Sequence, residues 1–160
     1  MNLFPHAGPL RKHLGLPVAA QADFEQYRGG HTNKKWVQVG PEWCCPSCRR
    51  TKFQQLTWTV RRIDGRVIPN SHGWLAPIVE HHDHGADEGQ RSPRFAPTFI
   101  CFDCNIAEGR AKKMLKLPKD FSFSPVELSM FIVGYPHRRI TEDLESAQAI
   151  AESILRFRLW

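Results

Sequence analysis

The chain has no apolar run approaching the roughly 20 residues that a membrane span needs, so a helical integral membrane protein is excluded. It has five cysteines in 160 residues, far too few for a disulfide scaffold of this length. It has no low-complexity stretch and no internal repeat beyond two short cysteine motifs, and its composition excludes collagen, coiled coil and wholesale disorder. Nor does the N-terminal stretch resemble a leader. Its most apolar piece, residues 14–20, is seven residues long and interrupted by Pro17, so a cytoplasmic protein is expected. Hydrophobic residues make up 41%, enough for one domain with one core or for two small metal-stapled units.

Charge is unevenly placed. The formal net charge is +6. Residues 1–70 hold eleven Lys/Arg and four Asp/Glu, a balance of +7, whereas residues 71–160 hold eleven and twelve, a balance of −1. A basic first half points to a polyanionic partner.

Four of the cysteines form two motifs, Cys45-Pro-Ser-Cys48 and Cys101-Phe-Asp-Cys104. A tight Cys-x-x-Cys turn points two thiolates at one cation, and two such turns complete a sulfur tetrahedron, so a structural Zn²⁺ site on Cys45, Cys48, Cys101 and Cys104 is expected. No βαβ context surrounds either motif, which argues against redox chemistry. Cys44 is the spare and is expected to be a small buried hydrophobe.

Along the chain, residues 1–22 read as an arm, and residues 23–40 as a mixed segment with a Gly-Gly turn at 29–30. Residues 53–62 are rich in β formers, Asp64-Gly65 is a hairpin turn signal, and residues 66–68 would return. Residues 74–80 form another apolar run, pushed to a sheet edge by Pro77. A polar loop fills 83–97, a short strand 98–100, and a helix 105–117 with its apolar stripe on Ala107, Ala111, Met114 and Leu115. Ser124-Pro125-Val126-Glu127 is a helix start with a capping box. Thr141 is expected to cap a last helix, with Glu142 and Asp143 in its first turn and its stripe on Leu144, Ala147, Ala151, Ile154 and Leu155. Trp36, Trp43, Trp58 and Trp74 read as core.

Between the two cysteine motifs lies Glu80-His81-His82-Asp83-His84, three imidazoles and two carboxylates in five residues. A strand ends in this cluster, a second strand leads into Cys101-x-x-Cys104, and Asn105 opens the following helix. A β-hairpin packed on a helix brings the end of its first strand beside the first turn of that helix, so the imidazoles and Asn105 would converge. One histidine or carboxylate with an amide oxygen can hold a divalent cation, and a second histidine can take a proton from water.

On these residues the layout resembles the HNH (ββα-metal) nucleases, in particular the phage recombination endonuclease VII type. The matching residues are Cys45-Pro-x-Cys48, His81-His82-Asp83-His84 and Cys101-x-x-Cys104-Asn105-x-Ala107-Glu108-Gly109-x-x-Lys112, covering roughly residues 43–117. The resemblance implies an α+β fold with a ββα-metal core stapled by the four-cysteine zinc site. To that core the chain adds an N-terminal β-rich segment and two C-terminal helices. The segments would be an extension at 1–40, the nuclease core at 41–118 and a helical part at 119–160, together one compact domain. The implied activity is hydrolysis of DNA phosphodiesters to 5′-phosphate and 3′-hydroxyl ends.

The resemblance also implies roles. His82 is the general base, and His84 and Glu108 are auxiliary catalytic groups. His81 and Asn105 are ligands of the catalytic Mg²⁺ or Mn²⁺. His81 departs from the Asp usual there, which shifts the site towards transition metals. An alternative register would make Asp83 and His84 the ligand–base pair. Arg49, Arg50, Lys52, Arg110, Lys112 and Lys113 would contact DNA phosphates. The expected partner is double-stranded or branched DNA, in a restriction or resolvase role. A palindromic target would call for a homodimer, with the C-terminal helices as its interface. The rival readings are a non-catalytic zinc-stapled DNA-binding module and a protein–protein adaptor.

Overall fold

The computed structural model describes residues 17–63, 66–86 and 92–158. Among these the fold is mixed α and β, with three two-stranded antiparallel sheets. The chain divides into two compact units that interleave along the sequence.

The first unit takes residues up to 44, together with 50–77 and 135–138. Its elements are α1 (Gln21–Gln26), α2 (Asn33–Gln38), α3 (Lys52–Gln55), β1 (Thr57–Ile63) and β2 (Arg66–Leu75). The β-rich extension expected at the N-terminus therefore carries helices at 21–26 and 33–38 instead, and the extended structure lies after the first cysteine motif. Residues 53–55, expected to open a strand, are helical instead. Thr51 caps α3 by accepting from the Gln54 amide, while the Gln54 side chain returns a bond to the Thr51 amide, and this capping box overrides the β propensity of the run. The expected hairpin is present, with Ile63 opposite Arg66, and the turn residues 64–65 lie outside the described part.

Trp36 is the centre of this unit. Tyr27 meets it edge-on at 4.9 Å and Phe24 at 6.1 Å. Gly29 has φ +85, and a Cβ there would lie 2.5 Å from Trp36 Cβ, so only glycine fits. Of the other tryptophans expected in the core, Trp43, Trp58 and Trp74 are half-buried rather than buried.

The second unit takes residues 45–49, 78–134 and 139 onwards. It contains β3 (Ile78–His81), β4 (Thr98–Cys101), α4 (Phe102–Met114), α5 (Pro125–Phe131), β5 (Ile132–Val133), β6 (Thr141–Glu142) and α6 (Leu144–Arg158). The apolar run at 74–80 is split: residues 74–75 end β2, and β3 begins after Pro77. β3 and β4 pair with Ile78 opposite Cys101 and His81 opposite Thr98, and α4 packs on both strands. Ile78, Ile100, Ala107 and Ala111 close that layer, and Phe121, Phe123, Phe131, Leu128, Ala147 and Ala151 fill the space under α5 and α6.

α4 begins at Phe102, three residues before the expected start, so Asn105 lies inside its first turn rather than opening it. Met114, expected on the apolar stripe, is exposed. α5 starts as read: Ser124 accepts from the Glu127 amide, Glu127 accepts from the Ser124 amide, and Pro125 takes the first helical position. Thr141, expected to cap the last helix, instead pairs with Val133 in β6, and Asp143 takes over the cap. No helix among the described residues is long and apolar enough to cross a membrane.

Candidate metal centre and histidine cluster

The two cysteine motifs come together. Cys45, Cys48, Cys101 and Cys104 are all buried, and their sulfurs lie within 4.8 Å of one another. Sγ–Sγ distances are 3.8 Å for Cys45–Cys104, 3.7 Å for Cys48–Cys101 and 3.4 Å for Cys101–Cys104. A disulfide would need about 2.05 Å. A tetrahedron with arms of about 2.3 Å has edges of about 3.8 Å, so the spacing suits a metal such as zinc. The Cys101 amide donates to Cys45 Sγ at 3.3 Å, which favours thiolate there. Cys45 is held below the ordinary thiol range by hydrogen bonds with Cys101 and Cys104. Cys104 is pushed far above it, by its hydrogen bond with Cys101 first, then those with Cys45 and Cys48, and by burial. Without a cation the cluster thus keeps protons, because neighbouring buried thiolates repel. Cys44, expected to be buried, is exposed: it faces Thr51 in a β-bridge instead.

The first turn of α4 carries Asn105, and Glu108 follows three residues later on the same helix face. Asn105 is half-buried and Glu108 buried. Glu108 Oε1 accepts from the Phe123 amide at 3.0 Å, and His81 Nε2 donates to the Phe123 carbonyl at 2.7 Å. The strand end and the helix thus grip one peptide of the segment before α5. A carbonyl only accepts, so Nε2 carries the proton. His81 Nδ1 faces Glu108 Oε2 at 3.6 Å, and Phe95 stacks on the ring at 5.2 Å.

This qualifies the expectation for His81. With 2% exposure and Nε2 engaged, only Nδ1 remains for a cation. The alternative register fares worse. Asp83 is equally buried, and both its oxygens hold the loop, Oδ1 accepting from the Gly85 amide and Oδ2 from the Arg94 amide. His82 and His84 are half-buried, with ring centroids 4.7 Å apart. Among the described residues the cysteines are the only group of three or more His, Cys, Asp or Glu side chains whose ligand atoms converge.

Of the six basic residues expected at a DNA surface, two are corrected. Arg50 is buried and donates to the Arg138 carbonyl at 2.6 Å. Lys52 is buried too, donating to the carbonyls of Trp36 and Gly40 while lying 4.1 Å over the Trp36 ring. Both cations hold the first unit together, and burial lowers the Lys52 pKa. Arg49 and Lys113 are exposed. Arg110 pairs with Glu142 at 2.6 Å, and Lys112 reaches the Lys119 carbonyl at 3.3 Å.

One residue that matters here was not singled out in the sequence. Arg94 donates from its amide to Asp83, and from its guanidinium to the Ser122 carbonyl and Glu127. Ser122 Oγ accepts from the His84 amide at 3.0 Å. Together they clamp the loop carrying His82 and His84 to the segment leading into α5. No local pattern marks Arg94, since its partners lie 28 and 33 residues away. Comparison with protein-family models, curated proteins and solved structures finds no match.

Proposed function

We propose that this chain is a metal-dependent DNA endonuclease of the HNH, ββα-metal type, with zinc on its four cysteines as a structural staple. The observation that carries this reading is a juxtaposition in the second unit. A β-hairpin lies under a helix, the first strand runs into His81-His82-x-His84, and the second strand runs through the cysteine cluster into the helix bearing Asn105 and Glu108.

In this reading His82 accepts a proton from the attacking water, the general-base task an imidazole commonly performs. His84, its ring neighbour, contacts the phosphate or assists the leaving oxygen. Asn105, with Nδ1 of His81, would hold the divalent cation. Glu108 orients His81 through the shared Phe123 peptide, a positioning role in place of the auxiliary catalytic one. A cation bound there supplies positive charge against the charge that builds on the phosphate. An imidazole nitrogen among the donors suits Mn²⁺ better than the harder Mg²⁺.

The test is nicking of supercoiled plasmid with Mg²⁺ or Mn²⁺. His82→Ala should lower the rate by roughly 10²–10⁴-fold, the usual worth of a general base. His84→Ala should cost less. Undiminished nicking by His82→Ala, or no nicking with any metal, would sink the reading. Salt-sensitive DNA binding without cleavage would leave the non-catalytic zinc module in its place.

A further inference from the structure

We propose that the groove between the end of α4 and α6 is the surface on which two copies of this chain meet, groove against groove about a two-fold axis. This goes beyond the catalytic reading and does not rest on it.

The groove lies within the second unit and holds about 430 Å³. Residues 114–118 form one wall, and α6 from Gln148 to Leu155 forms the other. Its floor is apolar. Ala151 is buried, Leu115, Leu117 and Leu155 are half-buried, and Met114 stands 65% exposed at the rim. An exposed thioether beside a groove adapts readily to an apolar surface laid over it. Burying this floor is the driving force for association.

The first wall is made by a turn in which glycine is usual. Past the C-cap residue Leu115, Lys116 has φ +52. The Leu117 amide donates to the Lys112 carbonyl at 2.9 Å, and the Lys116 amide to the Lys113 carbonyl at 3.3 Å. This is a Schellman closure with lysine in the left-handed position. The helix dipole accounts for Lys113 in the last turn of α4. A left-handed position favours glycine, so the fold itself does not call for a cation at 116.

The two walls carry opposite charge. Residues 113–119 hold Lys113, Lys116 and Lys119, all exposed, and no acid. Residues 144–155 hold Glu145 and Glu152, both exposed, and no cation before Arg156. Lys116 and Glu152 both line the groove, and neither makes an ion pair among the described residues. Glu152 only accepts from Gln148 Nε2, at 2.9 Å. A positive wall opposite a negative one is self-complementary. A two-fold rotation exchanges the walls, so Lys116 of each copy meets Glu152 of the other, and the pair occurs twice. Duplex DNA is the competing occupant of a lysine-bearing groove. It would meet two glutamates on the far wall and leave the apolar floor uncovered, so the charge pattern favours a second copy.

The experiment is sedimentation velocity of the full chain from low to high micromolar concentration, where monomer should pass to dimer. Lys116→Glu alone and Glu152→Lys alone should each weaken the dimer by roughly tenfold or more, because the two-fold axis repeats every repulsion. An equal mixture of the two variants should associate as the parent does, since each offers the charge the other has lost. Lys116→Gly separates loss of the cation from loss of the fold. Glycine suits the left-handed position, so this variant should melt no lower than the parent while its dimer weakens. A chain that stays monomeric at every concentration overturns the proposal. So does a dimer that both single reversals leave intact, or a mixture that associates no better than its components. A charge-dependent dimer that never nicks plasmid would overturn the nuclease reading and leave this one standing.

Discussion

Gly109 stands in the middle of α4, exposed, and a Cβ there would meet nothing within 4 Å. Glycine at such a position costs a helix about 0.5–1 kcal/mol relative to alanine. Gly109→Ala should therefore raise the stability of the chain by roughly that amount, read as a higher urea midpoint at unchanged slope. Stability that rises while plasmid nicking falls would show that a substrate passes close over the backbone beside Glu108. A midpoint that falls would show that the surface over Gly109 is not open. At this scale the residue types were legible and their partners were not. The run of histidines stood out in the sequence, yet nothing local showed that His81 meets the Phe123 carbonyl 42 residues away. Arg50 and Lys52 read as phosphate contacts because basic residues beside a zinc motif are usually exposed. The carbonyls of Arg138, Trp36 and Gly40 that neutralise the cost of burying them come from distant segments.

Elements were legible where local chemistry agreed with packing. Ser124-Pro125-Val126-Glu127 announced α5, and the 3.6-residue stripe announced α6, because both signals are written within one or two turns. The start of α4 was not announced. Cys101 occupies its cap position without its side chain accepting from a first-turn amide, so the helix issues from the geometry of the cysteine cluster rather than from a capping residue. The start of α6 was misplaced by two residues because Thr141 is held in a strand pair with Val133. Its real cap is Asp143, which accepts from the Glu145 and Ser146 amides and from Ser146 Oγ. Those bonds, with that of the Ser146 hydroxyl foremost, lower the Asp143 pKa. The folded value lies below the unfolded one, so the cap stabilises above the ordinary carboxylate pKa of about 3.9. That contribution is lost as pH falls through the folded value. Asn also caps but does not titrate. Wild type should therefore exceed Asp143→Asn in stability at pH 6, with the difference shrinking below about pH 4, followed by chemical denaturation at each pH. A difference independent of pH would rule out the charged cap.

The cysteine cluster decides how much the apolar core must do by itself. The two motifs lie more than fifty residues apart, so a cation held by both closes a long loop, and its binding free energy becomes folding free energy. The second unit contains all four sulfurs and the strand, helix and loop that carry the histidines. Losing the metal should thus unfold the candidate site and the staple together. We expect one zinc per chain by elemental analysis. Cys104→Ser should abolish it along with the cooperative melting transition, whereas Cys44→Ser, at the exposed spare thiol, should change neither. Uptake should also weaken in acid. Cys104 holds its proton far above the ordinary thiol range, and a cation binding four thiolates must displace such protons, so each fall in pH favours the metal-free cluster. Zinc competition with a chromophoric chelator between pH 8 and 6 measures this directly. The expected result is an apparent affinity that drops with pH more steeply than one proton per metal would allow. A pH-independent affinity, or zinc retained by Cys104→Ser, would mean that the cysteines are not the ligands. The staple would then have to be sought elsewhere in the chain.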